Sequence, residues 1–267
     1  MPQVSLFASS IRPNLWEMFF KSLEGTSVDV EVIFSGNLEA ALSYELPKNV
    51  SFKYIKTANI KPAQCYEVAA RACTGELICW VADDCEFPND VIGKAYRFYK
   101  EKCGRKDIVC IKSREHYGMT WHECGAKRHF FDNVNRWAPK MAPLGLMSRE
   151  YYHALGGADR RYICGQWDND LVMRLYNDGG LLYMFEDAYI ELDHEGKHDP
   201  EFGTRGDRPF GKGYAHDRKI LESAWRKNGI MIGPAPFRRF DSGFEPYNNE
   251  GITTKSQSFN MKELFND

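Results

Sequence analysis

The stretch "GELICWVADDCEFPND", residues 75–90, decides the fold. Leu77 to Val81 form an unbroken apolar run that stops at two adjacent acids, Asp83 and Asp84. A short run of this kind, bounded by turn residues, predicts a strand buried on both faces. The acids then stand where that strand leaves the core.

On the N-terminal side, "VSLFAS" (4–9), "VDVEVIF" (28–34) and "VSFKYI" (50–55) read as strands. Between and after them, "RPNLWEMFFKSL" places Leu15, Met18, Phe19 and Leu23 on one helical face, and "PAQCYEVAARAC" opens a helix at Pro62. A helix follows the acidic pair in "NDVIGKAYRFYK", and "KDIVCIKS" is a further strand. This alternation predicts a mostly parallel sheet with helices on both faces. Open sheets of that type bind ligands at the carboxyl ends of their strands, which puts Asp83 and Asp84 at the rim of a crevice.

From about Glu115 to Pro143 the chain is irregular and rich in Trp, His, Arg and Asn, as a binding loop or lid would be. Then come a strand in "APLGLMS", helices with glycine stops in "REYYHALGG" and "WDNDLVMRLYNDGG", and strands in "LLYMFEDAYIELDHEGKH". Beyond about Asp199 one helix is clear, "AHDRKILESAWRKNG", with Ile220, Leu221 and Trp225 as its apolar stripe. The expected organisation is one domain over 1–198, with a nucleotide-binding half of about 1–112 and an acceptor-side half of about 140–198. Residues 199–267 form an extension packed on the acceptor side.

The 267 residues carry a formal charge of −2, which argues against a nucleic-acid protein held by a general phosphate field. No apolar stretch approaches a membrane span, and the N-terminus lacks a basic region before an apolar core. A soluble, cytoplasmic chain is expected. Eight cysteines contain no C-x-x-C pair, and several sit in apolar periodic segments, so they read as reduced, buried thiols.

Three sets of residues can carry chemistry. Adjacent carboxylates at a strand end suit a hard cation such as Mg²⁺ or Mn²⁺, although two turn acids before a helix would look the same. Asp168 and Asp170 open a helix beside Trp167, which is expected to be exposed; one acid is expected to cap, leaving the other to accept a proton from an attacking hydroxyl. His194 follows an apolar strand, where it is either a structural hydrogen-bonding group or a further metal ligand.

Taken in order, "VSLFASSIRPNLWEMFFKSL", "GELICWVADDCEFPNDV", "APLGLMSREYYHALGGADRRY", "WDNDLVMRLYNDGG" and "LDHEGKH" resemble the family 2 glycosyltransferases of the A-type (GT-A) fold over about residues 4–200. The resemblance implies a Rossmann-like domain and an inverting, metal-dependent transfer from a nucleotide-diphosphate sugar to an acceptor hydroxyl on a glycan, lipid or protein-linked sugar. It implies Asp84 and His194 as ligands of Mn²⁺ or Mg²⁺, and Asp83 as a ribose contact or metal support. Asp168 would be the general base, with Asp170 the second choice. Ser9, Ser10, Arg12, Ser35 and Asn37 would border the nucleotide, and Trp167 the acceptor. The chain departs from the family where the second strand ends in "FSGN" rather than in acids. Trp167 stands where a Glu is common, and Glu67 where an Asn is frequent.

Other readings compete. "GTRGDRP" (203–209) resembles a sugar-nucleotidyltransferase signature, but it lies far from any N-terminal strand. A metal-dependent hydrolase is also open, as is a nucleotide- or carbohydrate-binding module without turnover. The set Asp84, Asp168 and His194 weighs against the module, since a binder needs no base.

Overall fold

The computed structural model describes residues 1–38, 42–57, 62–117, 120–124, 141–192, 211–227 and 230–231. Its strands are β1 (Val4–Ser9), β2 (Val30–Gly36), β3 (Val50–Lys56), β4 (Leu77–Trp80), β5 (Cys85–Glu86), β6 (Ile108–Tyr117), β7 (Thr120–Cys124), β8 (Gly145–Ser148) and β9 (Leu182–Leu192). The helices are α1 (Trp16–Lys21), α2 (Pro62–Ala72), α3 (Val91–Lys102), α4 (Arg149–Ala154), α5 (Trp167–Asn177) and α6 (Gly211–Trp225). These nine strands join in one sheet of order β3-β2-β1-β4-β8-β6-β9-β5, with β7 pairing β6, while two short strands, β10 (Arg226–Lys227) and β11 (Ile230–Met231), pair with each other in a second sheet. β1 to β4 run parallel, β6 and β9 run with them, and β8, β5 and β7 run against them.

Side-chain alternation divides the core into two layers. Leu6 and Ala8 of β1 and Leu77 and Cys79 of β4 enter one cluster, with Trp16, Phe19, Phe20, Val91 and Ile92. Phe7, Ile78 and Trp80 point the other way, into a cluster with residues of α2, α4 and α5. Period-two burial on both faces is what an apolar strand between two helical layers requires. Leu221, Ala224 and Trp225 of α6 join the second cluster, so this helix shares the core of the first 198 residues.

The chain lays β2 and β3 on one side of β1 and then returns to place β4 on the other. The loops leaving β1 and β4 therefore part from each other at a point where the strand order reverses, and such a point opens a crevice. One expected loop is partly strand: β6 continues to Tyr117 and forms a hairpin with β7, pairing Tyr117 with Thr120. Residues 125–140 of that stretch lie outside the described residues. The described cysteines are free thiols, buried except for Cys103, and no helix among the described residues is long and apolar enough to cross a membrane.

Gly145 sits on β8 between β4 and β6, where an added Cβ would fall 2.2 Å from Cζ2 of Trp80. The indole cannot swing aside freely, because its Nε1 donates to the Ala142 carbonyl at 3.1 Å. Gly145→Ala should therefore destabilise the protein by about 1–3 kcal/mol, the usual effect of overpacking. Chemical denaturation checks this; an unchanged midpoint would show that β8 has room to move.

Candidate active site

The two loops at the reversal of strand order meet through a buried ionic cluster. Asp83, only 3% exposed, accepts from the Ser10 hydroxyl at 2.9 Å and from the Ile11 and Arg12 backbone N–H groups, each at 3.2 Å, all on Oδ2. Its Oδ1 accepts from Arg12 Nε at 2.9 Å and also from Nη2. Arg12 Nη1 reaches on to Asp84 Oδ2 at 3.1 Å. The Trp16 indole N–H donates to the Ser10 oxygen at 2.7 Å, so the start of α1 is tied into the same chain of bonds. Burial opposes the charge on Arg12, yet the two carboxylates outweigh it and hold the guanidinium pKa above its ordinary value.

Five donors on Asp83 fill the roughly four lone-pair positions of a carboxylate. Asp83 is thereby the organiser of the β1 loop. Asp84, 1% exposed, is the member of the pair with the chemistry of a hard-cation ligand. The residues fit such an ion in donor type, with Arg12 already balancing part of the negative charge. Among the described residues, no group of three or more His, Cys, Asp or Glu side chains gathers as a metal site. The His194 expectation lies outside the described residues. The last described residue of β9, Leu192, pairs with Cys85, the neighbour of Asp84.

The remaining nucleotide-side candidates line the ends of β1 and β2. Ser9 pairs with Ser35 across the two strands, and the Ser10 N–H donates to the Ser35 carbonyl at 2.9 Å. Ser35 is fully buried, whereas Asn37 just past the strand is exposed.

The acids of α5 separate into different environments. Neither caps the helix: the N-cap position belongs to Gln166, and both acids lie in the first turn, where the helix dipole favours them. Asp170 is fully buried, accepting from Arg174 Nε at 2.8 Å and from the Trp225 indole at 2.8 Å. These bonds tie both carboxylate oxygens into the packing of α5 against α6. Asp168 is half-buried.

Trp167 corrects an expectation. It is 3% exposed rather than displayed, with its ring centroid 5.7 Å from that of Trp80 and 5.1 Å from that of Tyr66. A large aromatic ring gains most from such packing, so it belongs to the core rather than to an acceptor surface. The same packing still matters for the site. Trp80 ends β4 three residues before Asp83, and Tyr66 donates to the Val81 carbonyl at 2.8 Å. Burial and then the charge of Asp83 push the Tyr66 phenol well above its ordinary range, which keeps it a neutral donor. The start of α5, and Asp168 with it, is thus moored to the strand end that carries the acidic pair.

Glu67 is a further buried acid whose role the sequence does not disclose. It accepts from Tyr152 Oη at 2.8 Å, Ala158 N at 2.9 Å and Arg71 Nε at 2.7 Å, joining α2 to α4 and to the loop that follows α4. Burial raises its carboxyl pKa against those bonds.

No family model matches the chain, and no curated protein matches it in sequence. Its backbone is similar to S. aureus TarS 1-349, at 15% identity and TM-score 0.55, over 72% of this chain and 60% of that one. TarS 1-349 in complex with UDP-GlcNAc matches at 15% identity and TM-score 0.54, over 72% and 58%. GalNAc-T7 with UDP, GalNAc and Mn²⁺ matches at 11% identity and TM-score 0.56, over 85% and 48%. The chain has the GT-A fold. It spans about 60% of the length of the TarS structure it matches.

Arg12→Met tests the ionic cluster. It would leave two adjacent buried carboxylates without their cation, a loss worth about 3–5 kcal/mol at neutral pH. Denaturant unfolding at neutral pH reads this; an unchanged midpoint would contradict the assigned role of Arg12.

Proposed function

We propose that the chain is an inverting glycosyltransferase of the family 2 type that moves a sugar from a nucleotide-diphosphate sugar to an acceptor hydroxyl. The observation that carries this reading is the Arg12–Asp83–Asp84 cluster at the strand-order reversal of a GT-A sheet. The similar structures were solved with UDP-GlcNAc in TarS and with UDP, GalNAc and Mn²⁺ in GalNAc-T7, which supports a nucleotide-sugar donor here.

In this reading the donor lies across the ends of β1, β2 and β4. Ser9, Ser10, Arg12, Ser35, Asn37 and Asp83 border the nucleotide, and the Arg12 guanidinium faces the diphosphate. Mn²⁺ or Mg²⁺, when bound, supplies stabilisation of the charge that grows on the departing diphosphate. Asp84 and His194 are the residues that would hold it. Asp168 takes the proton of the acceptor hydroxyl as that oxygen bonds to the anomeric carbon. The bond from that carbon to the diphosphate oxygen breaks on the opposite face, releasing the nucleoside diphosphate. One displacement inverts the centre, so no side chain is needed as a nucleophile. Asp168 is preferred to Asp170 because the latter is fully buried against Arg174 and Trp225.

The catalytic unit is assigned to 1–198 and the extension to 199–267. The shared core of α6 draws 211–225 against the catalytic unit.

A panel of nucleotide sugars with and without Mn²⁺ or Mg²⁺, scored for release of nucleoside diphosphate, is the direct test. Asp168→Asn should lower kcat by a factor of about 10²–10⁴, the typical worth of a general base. Calorimetry should find its affinity for nucleoside diphosphate unchanged. Near-parental turnover in that variant would remove Asp168 from the chemistry, and a parent that turns over no donor would overturn the transferase reading.

A further inference from the structure

The segment leading into Asp168 is held by a residue from the far end of the described chain. Asp217 of α6 is fully buried and accepts three consecutive backbone N–H groups, from Ile163 at 2.8 Å, Cys164 at 2.7 Å and Gly165 at 2.9 Å. Its Oδ1 also lies 3.2 Å from His216 Nδ1. On the other side of the segment, the Ile163 carbonyl accepts from the Ala63 N–H at 2.9 Å, so the strand of chain is gripped from both α6 and α2. The next residue, Gln166, has a φ of 62°, a left-handed conformation that a side-chain-bearing residue adopts at a cost of about 1–3 kcal/mol. Such a conformation persists only where its surroundings impose it.

Close approach accompanies these bonds. A Cβ on Gly213, one turn before Asp217, would fall 2.2 Å from Cys164 Sγ. Eight residues after Asp217 on the same helix, the Trp225 indole donates to Asp170 Oδ1 at 2.8 Å. Two buried polar anchors on one helix therefore bracket Asp168, one on the loop before it and one on Asp170, two residues after it. A carboxylate holding three N–H groups is a charge-assisted arrangement stronger than ordinary neutral hydrogen bonds. Packing alone would not need such an anchor, since the apolar face of α6 already buries Leu221 and Ala224.

We propose that α6 acts as a clamp on the catalytic acid, with Asp217 and Trp225 as positioning residues that fix the aim of Asp168 through the 163–165 segment and Asp170. This assignment rests on the reading of Asp168 as the base. It makes part of the 199–267 extension necessary for catalysis without any contact with the reacting atoms.

Asp217→Asn keeps the shape but turns an N–H donor toward backbone N–H groups. Amide hydrogen exchange in 163–169 should accelerate at least tenfold in this variant, while β1 and β4 keep their protection. Turnover should fall by about 10²-fold, the scale of a misplacement near 1 Å, with nucleoside diphosphate affinity and donor KM unchanged. Trp225→Phe keeps the ring and removes the indole donor; it should show the same pattern at smaller amplitude, and it serves should Asp217→Asn fail to fold. Unchanged exchange in 163–169, or parental kcat with accelerated exchange, would overturn the clamp. A loss of donor affinity in step with a falling Tm would assign α6 a purely structural role and overturn it as well. If the parent transfers no sugar, the transferase reading fails, and the exchange measurement alone still decides whether α6 holds the segment.

Discussion

The contact on which the site depends is the pairing of Arg12 with two acids that follow β4. Adjacent carboxylates buried to 3% and 1% exposure repel each other and lose hydration, a cost that only a nearby cation offsets. Arg12 supplies the cation, and its planar guanidinium lets one side chain engage both acids. The bond network also runs the other way, since Asp83 gathers the backbone N–H groups of Ile11 and Arg12 and the hydroxyl of Ser10. The loop after β1 is shaped by the acid after β4. The two loops that part at the reversal of strand order are thereby rejoined by charge.

A second constraint acts through packing. Trp167 lies among Phe7, Tyr66 and Trp80, which come from β1, α2 and β4. This places the start of α5 above the strand ends, while Asp217 and Trp225 hold its approach and first turn from outside. The half-buried Asp168 sits between the aromatic mooring and the polar anchors. A side chain so placed has little freedom to wander, which is the property that the proposed base would need.

The sequence discloses the parts that hydrophobic pattern controls. The runs in β1, β2 and β4, the helix opened by Pro62 and the acidic stop at Asp83 follow from period and punctuation alone. It conceals what depends on distant partners. Arg12 and Asp83 are 71 residues apart, and nothing local distinguishes their pairing from a solvated arginine. Trp167 beside two acids looks like a surface aromatic, because the Phe7 and Trp80 that cover it come from other strands. The β6–β7 hairpin hides in polar alternation that reads as loop. One signal was present but faint: Asp217 falls four residues before Leu221, on the apolar stripe of its helix, and a charge on a buried stripe calls for partners of its own.

Charge balance links the donor and the cation in the proposed reaction. Two carboxylates against one guanidinium leave the cluster with a net negative charge before any ligand arrives. A nucleoside diphosphate adds further negative charge to the same confined space, where it is screened far less than in water. Arg12 Nη1 and Nη2 each carry a second N–H beyond the one given to the acids, so in that reaction a single guanidinium can face both the acids and a diphosphate. In the proposed reaction donor and divalent ion would therefore favour each other's binding, and such a coupling is reciprocal, as any linkage between two ligands must be. In that reading Arg12 and the divalent ion share one task, since both would balance the charge of Asp83, Asp84 and the diphosphate.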